Sequence, residues 1–140
     1  MPGDVPGIYR VTFTVTPDMI DENRHMNNVA YVQWMQDIAI EHFSAMGGMA
    51  DMEREHAAWV ARSHHIEYLS PAFLGEQIEL ATWVSNLRRV RSIRRYQFTH
   101  AASNKLIGEG QTEWIYIDRE TGRPKSVPGS LASKFILRDL

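Results

Sequence analysis

"IDENRHMNNVAYVQWMQDIAIEHFSAMGG", residues 20–48, decides the fold because its pattern changes partway along. From Asn28 onward, Tyr31, Met35, Ile38, His42 and Met46 recur at helical spacing, and Val32, Ala39 and Phe43 widen that stripe. Gln33, Asp37, Glu41 and Ser44 make the opposite face, while Trp34 and Ile40 lie off the main stripe. Apolar residues on more than one face predict a helix surrounded by other elements. Asn27 or Asn28 suits the cap at its start, and Gly47-Gly48 the stop at its end. Just before the helix, Asp21, Asn23, His25, Asn27 and Asn28 crowd into one loop. A turn manages with one or two such residues, so this loop reads as one that carries a task.

Working outward, residues 9–15 alternate: Tyr9, Val11, Phe13 and Val15 against Arg10, Thr12 and Thr14. That is a half-buried strand, ended by Pro17. Residues 47–57 are a loop or a short helix. Four strand-like runs follow near 58–69, 76–87, 92–102 and 106–117, separated by turn residues such as Ser70-Pro71 and Ser103-Asn104. Residues 118–128 make a turn and an extended exit, and 129–137 a short terminal helix. No repeat or linker interrupts the chain, so residues 1–140 read as a single domain. One strand, a long helix and then four strands predict an α+β fold, with an antiparallel sheet of about five strands curled around the helix.

The bulk composition narrows the function. The 140 residues are 44% hydrophobic and 23% charged, with a net charge of −2, which describes an ordinary globular protein and no general binder of polyanions. Cysteine is absent, which excludes disulfides, a thiolate nucleophile and cysteine-based metal sites. "MPGDVPGIYR" at the N-terminus holds no apolar leader, and no apolar run approaches membrane-spanning length. The expectation is a cytoplasmic protein without a membrane span.

The polar loop suits a particular chemistry. The first backbone N–H groups of a helix have no intrahelical partner, and the helix dipole adds about half a positive charge there. The first turn after Asn28 carries no Asp or Glu that would occupy them. Such an end can bind a carbonyl oxygen and stabilise the oxyanion formed under attack, while a nearby carboxylate attacks or activates water. The competing reading is plain: Asp and Asn before a helix most often serve as caps and Asx turns.

"DENRHMNNVAY", residues 21–31, resembles the signature loop of hotdog-fold thioesterases, Asp-x-x-Gly-His-x-Asn-Asn-x-x-Tyr. Asp21, His25, Asn27, Asn28 and Tyr31 fall in register with it. The variant Asp-x-Asn-x-His-x-Asn-Asn-Val is also similar to plant acyl-carrier-protein thioesterases. "IEYLSPAFLGEQIEL" (66–80) and "GRPKSVP" (122–128) extend the likeness over roughly residues 9–128. Two departures stand out. Arg24 replaces the usual Gly, so the loop is expected to turn differently. Glu67-Tyr68 is followed by neither Cys nor Glu, unlike the plant enzymes, which favours the simpler bacterial type.

The resemblance implies a hotdog fold and a homodimer or homotetramer with sheets joined edge to edge. It implies hydrolysis of an acyl-CoA or acyl-ACP thioester without organic cofactor or metal. By the same resemblance Asp21 is nucleophile or general base, and the backbone N–H of Asn28 polarises the carbonyl. His25 and Asn23 are further candidates, with His25 more suited to holding the loop than to chemistry; Tyr31 reads as core. Two rivals stay open: a hotdog hydratase or dehydratase, and a non-catalytic acyl-thioester-binding protein.

Other features carry weaker signals. "NLRRVRSIRR" (86–95) concentrates five arginines in ten residues. Without interleaved aromatics it does not read as a nucleic-acid footprint. Arg88, Arg89 and Arg91 are candidates for holding the phosphates of CoA, against a plain exposed turn. His64 and His65 point to opposite faces of a strand and so cannot share a metal; no metal site is expected. His64 fits a hydrogen-bonded core or interface position. Met46, Met49 and Met52 either line an acyl pocket or fill gaps beneath a loop. Trp34, Trp59, Trp83 and Trp114 read as core or subunit interface.

Overall fold

The computed structural model describes residues 5–140, so the first four residues of the N-terminal stretch examined for a leader lie outside the described residues. Strand β1 (Tyr9–Thr14) is followed by a 3-10 turn (Pro17–Met19), then α1 (Asn28–Ala45) and α2 (Gly48–Arg54). Strands β2 (Ala57–Tyr68), β3 (Gln77–Arg88), β4 (Arg91–His100) and β5 (Lys105–Asp118) come next, and α3 (Gly129–Ala132) closes the order. The five strands form one antiparallel sheet in the order β1-β3-β4-β5-β2. A long helix lies against this sheet, which is the hotdog arrangement expected above.

Local chemistry sets the bounds of α1. The Asn27 side chain accepts a hydrogen bond from the backbone N–H of Ala30 at 2.9 Å, so Asn27 is the cap and Asn28 the first helical residue. At the far end Gly47 takes φ 83°, a left-handed conformation that glycine adopts without strain. Gly48 serves a different purpose. It opens α2, and a Cβ there would meet the Phe43 ring at 2.4 Å.

The buried face of α1 feeds two clusters. Tyr31, Met35 and Ile38 pack with Phe13, Val15, Ile78, Leu80, Tyr96, Phe98 and Ile107. Phe43, further along, packs with Ala57, Tyr116 and Leu131. Two glycines of β5 let the helix approach: a Cβ on Gly108 would touch Tyr31, and one on Gly110 would crowd Met35 at 3.1 Å. Trp34, off the main stripe, stacks on Phe13 with ring centroids 4.1 Å apart.

Two features stand out in the single chain, the first of them a departure from expectation. The sheet covers α1 on one side, and in the single chain its outer face is open, with Val29 76% and Ile40 49% exposed. The expected surround is therefore incomplete within one chain. The second feature is β2, which pairs only with β5 and leaves a twelve-residue edge with most of its residues from Val60 to Tyr68 exposed. At the opposite side β1 covers β3 from Gln77 to Thr82, and the C-terminal tail continues the cover through a bond from Arg138 N–H to the Val84 carbonyl.

Candidate active site

The loop before α1 folds into a closed knot. Backbone bridges join Ile20 to Met26 and His25 to Phe73. The Asp21 N–H donates to the His25 carbonyl at 2.8 Å, and the Asn27 N–H donates to the Met19 carbonyl at 2.8 Å. Met26 N–H reaches the Ala72 carbonyl, which docks the loop on the segment after β2. Asp21 is thus held on a loop rooted at the residue that caps the helix.

The Asp21 carboxylate faces inward across this loop with one oxygen. Oδ1 accepts from the backbone N–H groups of Asn23 at 2.9 Å and His25 at 3.1 Å. This is the Asx-type turn of the competing reading, and it also fixes the carboxylate's orientation. Among the described residues Oδ2 accepts no hydrogen bond, and the residue is exposed. A carboxylate anchored by one oxygen and open at the other is suited to meet a reactant.

The helix start completes the geometry. Ala30 N–H is satisfied by the Asn27 cap, and Tyr31 N–H by the Asn27 carbonyl. The backbone N–H groups of Asn28 and Val29 donate to no group among the described residues, and the first turn holds no acidic side chain. Two donors at the positive end of an 18-residue helix are therefore open to an incoming oxygen.

The other candidates take distinct places. Asn23 and Asn28 are exposed. The His25 ring packs edge-on against Phe73, 5.0 Å between centroids, and its backbone is tied to Asp21 and Phe73. Tyr31 is core: it packs against Tyr68 and Phe98, and burial pushes its hydroxyl pKa up to about 12. Arg24 corrects an expectation. It takes φ 64°, so the loop keeps the left-handed turn that glycine would make, at a strain of about 1–2 kcal/mol. A rim of exposed apolar side chains around the loop went unread in the sequence: Val29, Tyr68, Leu69, Phe73 and Leu74. "YLSPAFL" signalled it, since apolar residues crowded around Pro71 have no strand period to bury them.

The arginine run divides. Arg88 and Arg89 are exposed at the β3–β4 turn, and Arg89 sits at φ 57°. Arg91 is paired to Glu113 at 3.1 Å. This turn lies at the far end of β3 from the Phe73–Glu76 approach to the Asp21 loop, about 35 Å along a strand of twelve residues. One chain does not bring the arginines and Asp21 together.

Arg94, from the same run, is buried at 4% exposure. Its Nη1 donates to His42 Nδ1 at 2.8 Å and to Thr82 Oγ1 at 3.3 Å. Burial lowers the Arg94 pKa to about 10, so it stays cationic at neutral pH. Burial, with the Arg94 charge beside it, lowers His42 to about 4, so His42 is neutral and its Nδ1 is free to accept. Arg94 borders a cavity of about 270 Å³ lined by Phe43, Met49, Met52, Trp59, Trp114 and Phe135, among others. Met49 and Met52 line this cavity, as do Trp59 and Trp114, while Trp83 is buried in the sheet. His64 Nδ1 is hydrogen-bonded with Thr112 Oγ1 at 2.8 Å, but the residue is exposed in the single chain, which corrects the core position offered for it. No cluster of three metal-ligating side chains occurs among the described residues. No helix there is long and apolar enough to cross a membrane.

Comparison with known proteins agrees with the fold. A family model described as "Thioesterase-like superfamily" matches residues 15–135. The Acyl-CoA thioester hydrolase YbgC of Escherichia coli is 28% identical over 94 residues, covering 67% of this chain and 66% of that one. The chloroplastic Oleoyl-acyl carrier protein thioesterase 2 of Arabidopsis thaliana is 23% identical over 137 residues, covering 92% of this chain. The chain spans only 37% of that plant relative's length. The crystal structure of an acyl-ACP thioesterase from Bacteroides thetaiotaomicron superposes with a TM-score of 0.86 at 23% identity, covering 96% of this chain and 55% of that one.

Proposed function

Because the chain belongs to the thioesterase-like superfamily, we propose that it hydrolyses acyl thioesters at the loop and helix start just described. The observation that carries this is the pair of open N–H groups at Asn28 and Val29, on a helix whose cap Asn27 ends the same short loop that anchors Asp21. A thioester carbonyl oxygen at the helix start accepts from the Asn28 N–H. Asp21 then acts in one of two ways. As general base it takes a proton from water, whose oxygen adds to the carbonyl carbon. As nucleophile it adds to that carbon itself, and water hydrolyses the resulting anhydride. Either way the C–S bond breaks, the thiol leaves with a proton, and a carboxylic acid remains. The negative oxygen formed on the way is stabilised by about 2.7–4 kcal/mol per well-placed donor. The scheme uses no metal and no organic cofactor.

CoA is favoured over an acyl carrier protein as the thiol carrier, with the exposed Arg88 and Arg89 as its phosphate contacts. Arg91 is the weaker candidate because Glu113 already engages it. Since one chain separates this turn from Asp21, the contact belongs to an assembly in which a second copy presents its arginines. The long open edge of β2 supports such a dimer, because pairing it with another edge satisfies its backbone groups.

The test is thiol release from short, long and aromatic acyl-CoAs by the Asp21→Asn protein. Asn keeps an oxygen to accept from Asn23 and His25, so the loop is retained while the charge is lost. Turnover falls about 10²–10⁴-fold with acyl-CoA binding kept. Unchanged turnover would overturn the assignment, and binding without thiol release in the native protein would favour a non-catalytic binding role.

A further inference from the structure

The cavity at the C-terminal half of α1 holds an electrostatic imbalance. Arg94 is nine-tenths buried, yet no carboxylate pairs with it among the described residues. Its two hydrogen bonds both leave from Nη1 and go to neutral acceptors, His42 Nδ1 and Thr82 Oγ1. Guanidinium carries five N–H donors, so its Nε and Nη2 groups are without a protein partner among the described residues. A buried cation that lacks a counter-ion is costly unless something supplies one. Arg94 borders the cavity, whose other walls are mostly apolar and aromatic, Phe43, Met49, Trp59 and Trp114 among them, with Gln36 and Ser92 as uncharged polar neighbours. Ile40 and Met49 are 49% and 41% exposed and form its mouth. A mainly apolar chamber of this size, with Arg94 as the one charged residue in its lining, selects a small molecule with an apolar body and a planar anionic head.

We propose that this cavity is a binding site for a free carboxylic acid with a compact aliphatic or aromatic body, its carboxylate held by Arg94. The carboxylate-holding end of this site is distinct from the thioester site of the same chain: the cavity's lining on α1 begins at Gln36, about 12 Å along the axis from Asn28, and Arg94 is anchored at His42, about 21 Å from it. The proposal stands on the geometry of Arg94 and does not need Asp21 to be catalytic. If the hydrolytic reading holds, the ligand class is that of the product, and the cavity is where the released acid is retained or sensed.

Octanoate, octan-1-ol and octylammonium are the probes, titrated into the intact protein and followed by tryptophan fluorescence and calorimetry. Octanoate is expected to bind at least tenfold more tightly than the alcohol, and octylammonium not at all. In ¹⁵N spectra the Arg94 Nε–H resonance shifts on adding octanoate. Arg94→Met, whose side chain fills the space without the charge, loses the preference for acid over alcohol. Asp21→Asn binds octanoate as the native protein does, which separates this site from the thioester site. Equal binding of octanoate and octanol to the native protein would overturn the proposal, as would an Arg94 resonance unmoved at saturation. So would the absence of octanoate binding because a second copy of the chain fills the cavity.

Discussion

Asn28 is the residue at which chemistry and folding can be separated. It is the first helical residue, its N–H is open, and the preceding Asn27 has φ −89° and ψ 165°. Those angles are the ones a residue before proline prefers, and proline is well tolerated at the first helical position. Asn28→Pro therefore deletes one N–H and leaves α1 in place. Thioester turnover is expected to fall about 10²–10³-fold, with the thermal midpoint held within a few degrees of the native value. Steady-state kinetics on acyl-CoA beside a melting curve measures both. A folded Asn28→Pro protein with native turnover would remove the helix start from the mechanism. Asp21 is the complementary case, since its side chain serves the loop and the proposed reaction with different oxygens.

At the scale of elements, the join between α1 and α2 depends on the absence of a side chain. A methyl group on Gly48 would lie 2.4 Å from the Phe43 ring, which is itself wedged against Trp59 and Phe135. Gly48→Ala is expected to destabilise the protein by about 1–3 kcal/mol, read from the denaturant midpoint. The contact between α1 and β4 is tuned by protons. His42 is stacked on Tyr9 and accepts from Arg94, and its folded pKa of about 4 lies below the ordinary value of 6.5. Between those values the unfolded chain binds more protons, so stability rises with pH there. The contribution is complete above about pH 6.5 and is lost as pH falls through 4. It amounts to about 1–2 kcal/mol once partial exposure is allowed for. His42→Gln keeps an acceptor for Arg94 and cannot titrate. Its denaturant midpoint is expected to vary less between pH 6.5 and 4 than that of the native protein.

At the scale of the whole molecule, one chain leaves three surfaces unfinished. These are the β2 edge, the outer face of α1 with Val29 and Ile40, and the apolar rim at Tyr68, Leu69, Phe73 and Leu74. An assembly that pairs β2 edges would cover unsatisfied backbone and bring a second chain toward the first. Sedimentation analysis is expected to find a dimer. Val60→Lys, a charge placed on the exposed part of that edge, weakens dimerisation tenfold or more. A native protein that stays monomeric at high concentration would contradict the dimer and, with it, the assignment of Arg88 and Arg89 to CoA.

Much of this architecture was legible in residue order, because it rests on local rules. The 3.6-residue stripe from Tyr31 to Met46, the asparagine cap, the glycine stop and the alternating strands each follow from neighbours within one or two turns of chain. The polar loop was legible for the same reason, since Asp21, His25 and Asn27 bond within a few residues of one another. What the order of residues could not express was distance between remote segments. The arginine run looks uniform along the chain, yet strand alternation and the approach of α1 bury Arg94 against His42 while Arg88 and Arg89 stay in water. Trp59 and Trp114 became cavity walls only when β2 and β5 paired beneath Phe43. Burial and the dielectric around a charge depend on every element packed nearby, so tertiary structure alone decided which cation is sequestered and where an anion could meet it.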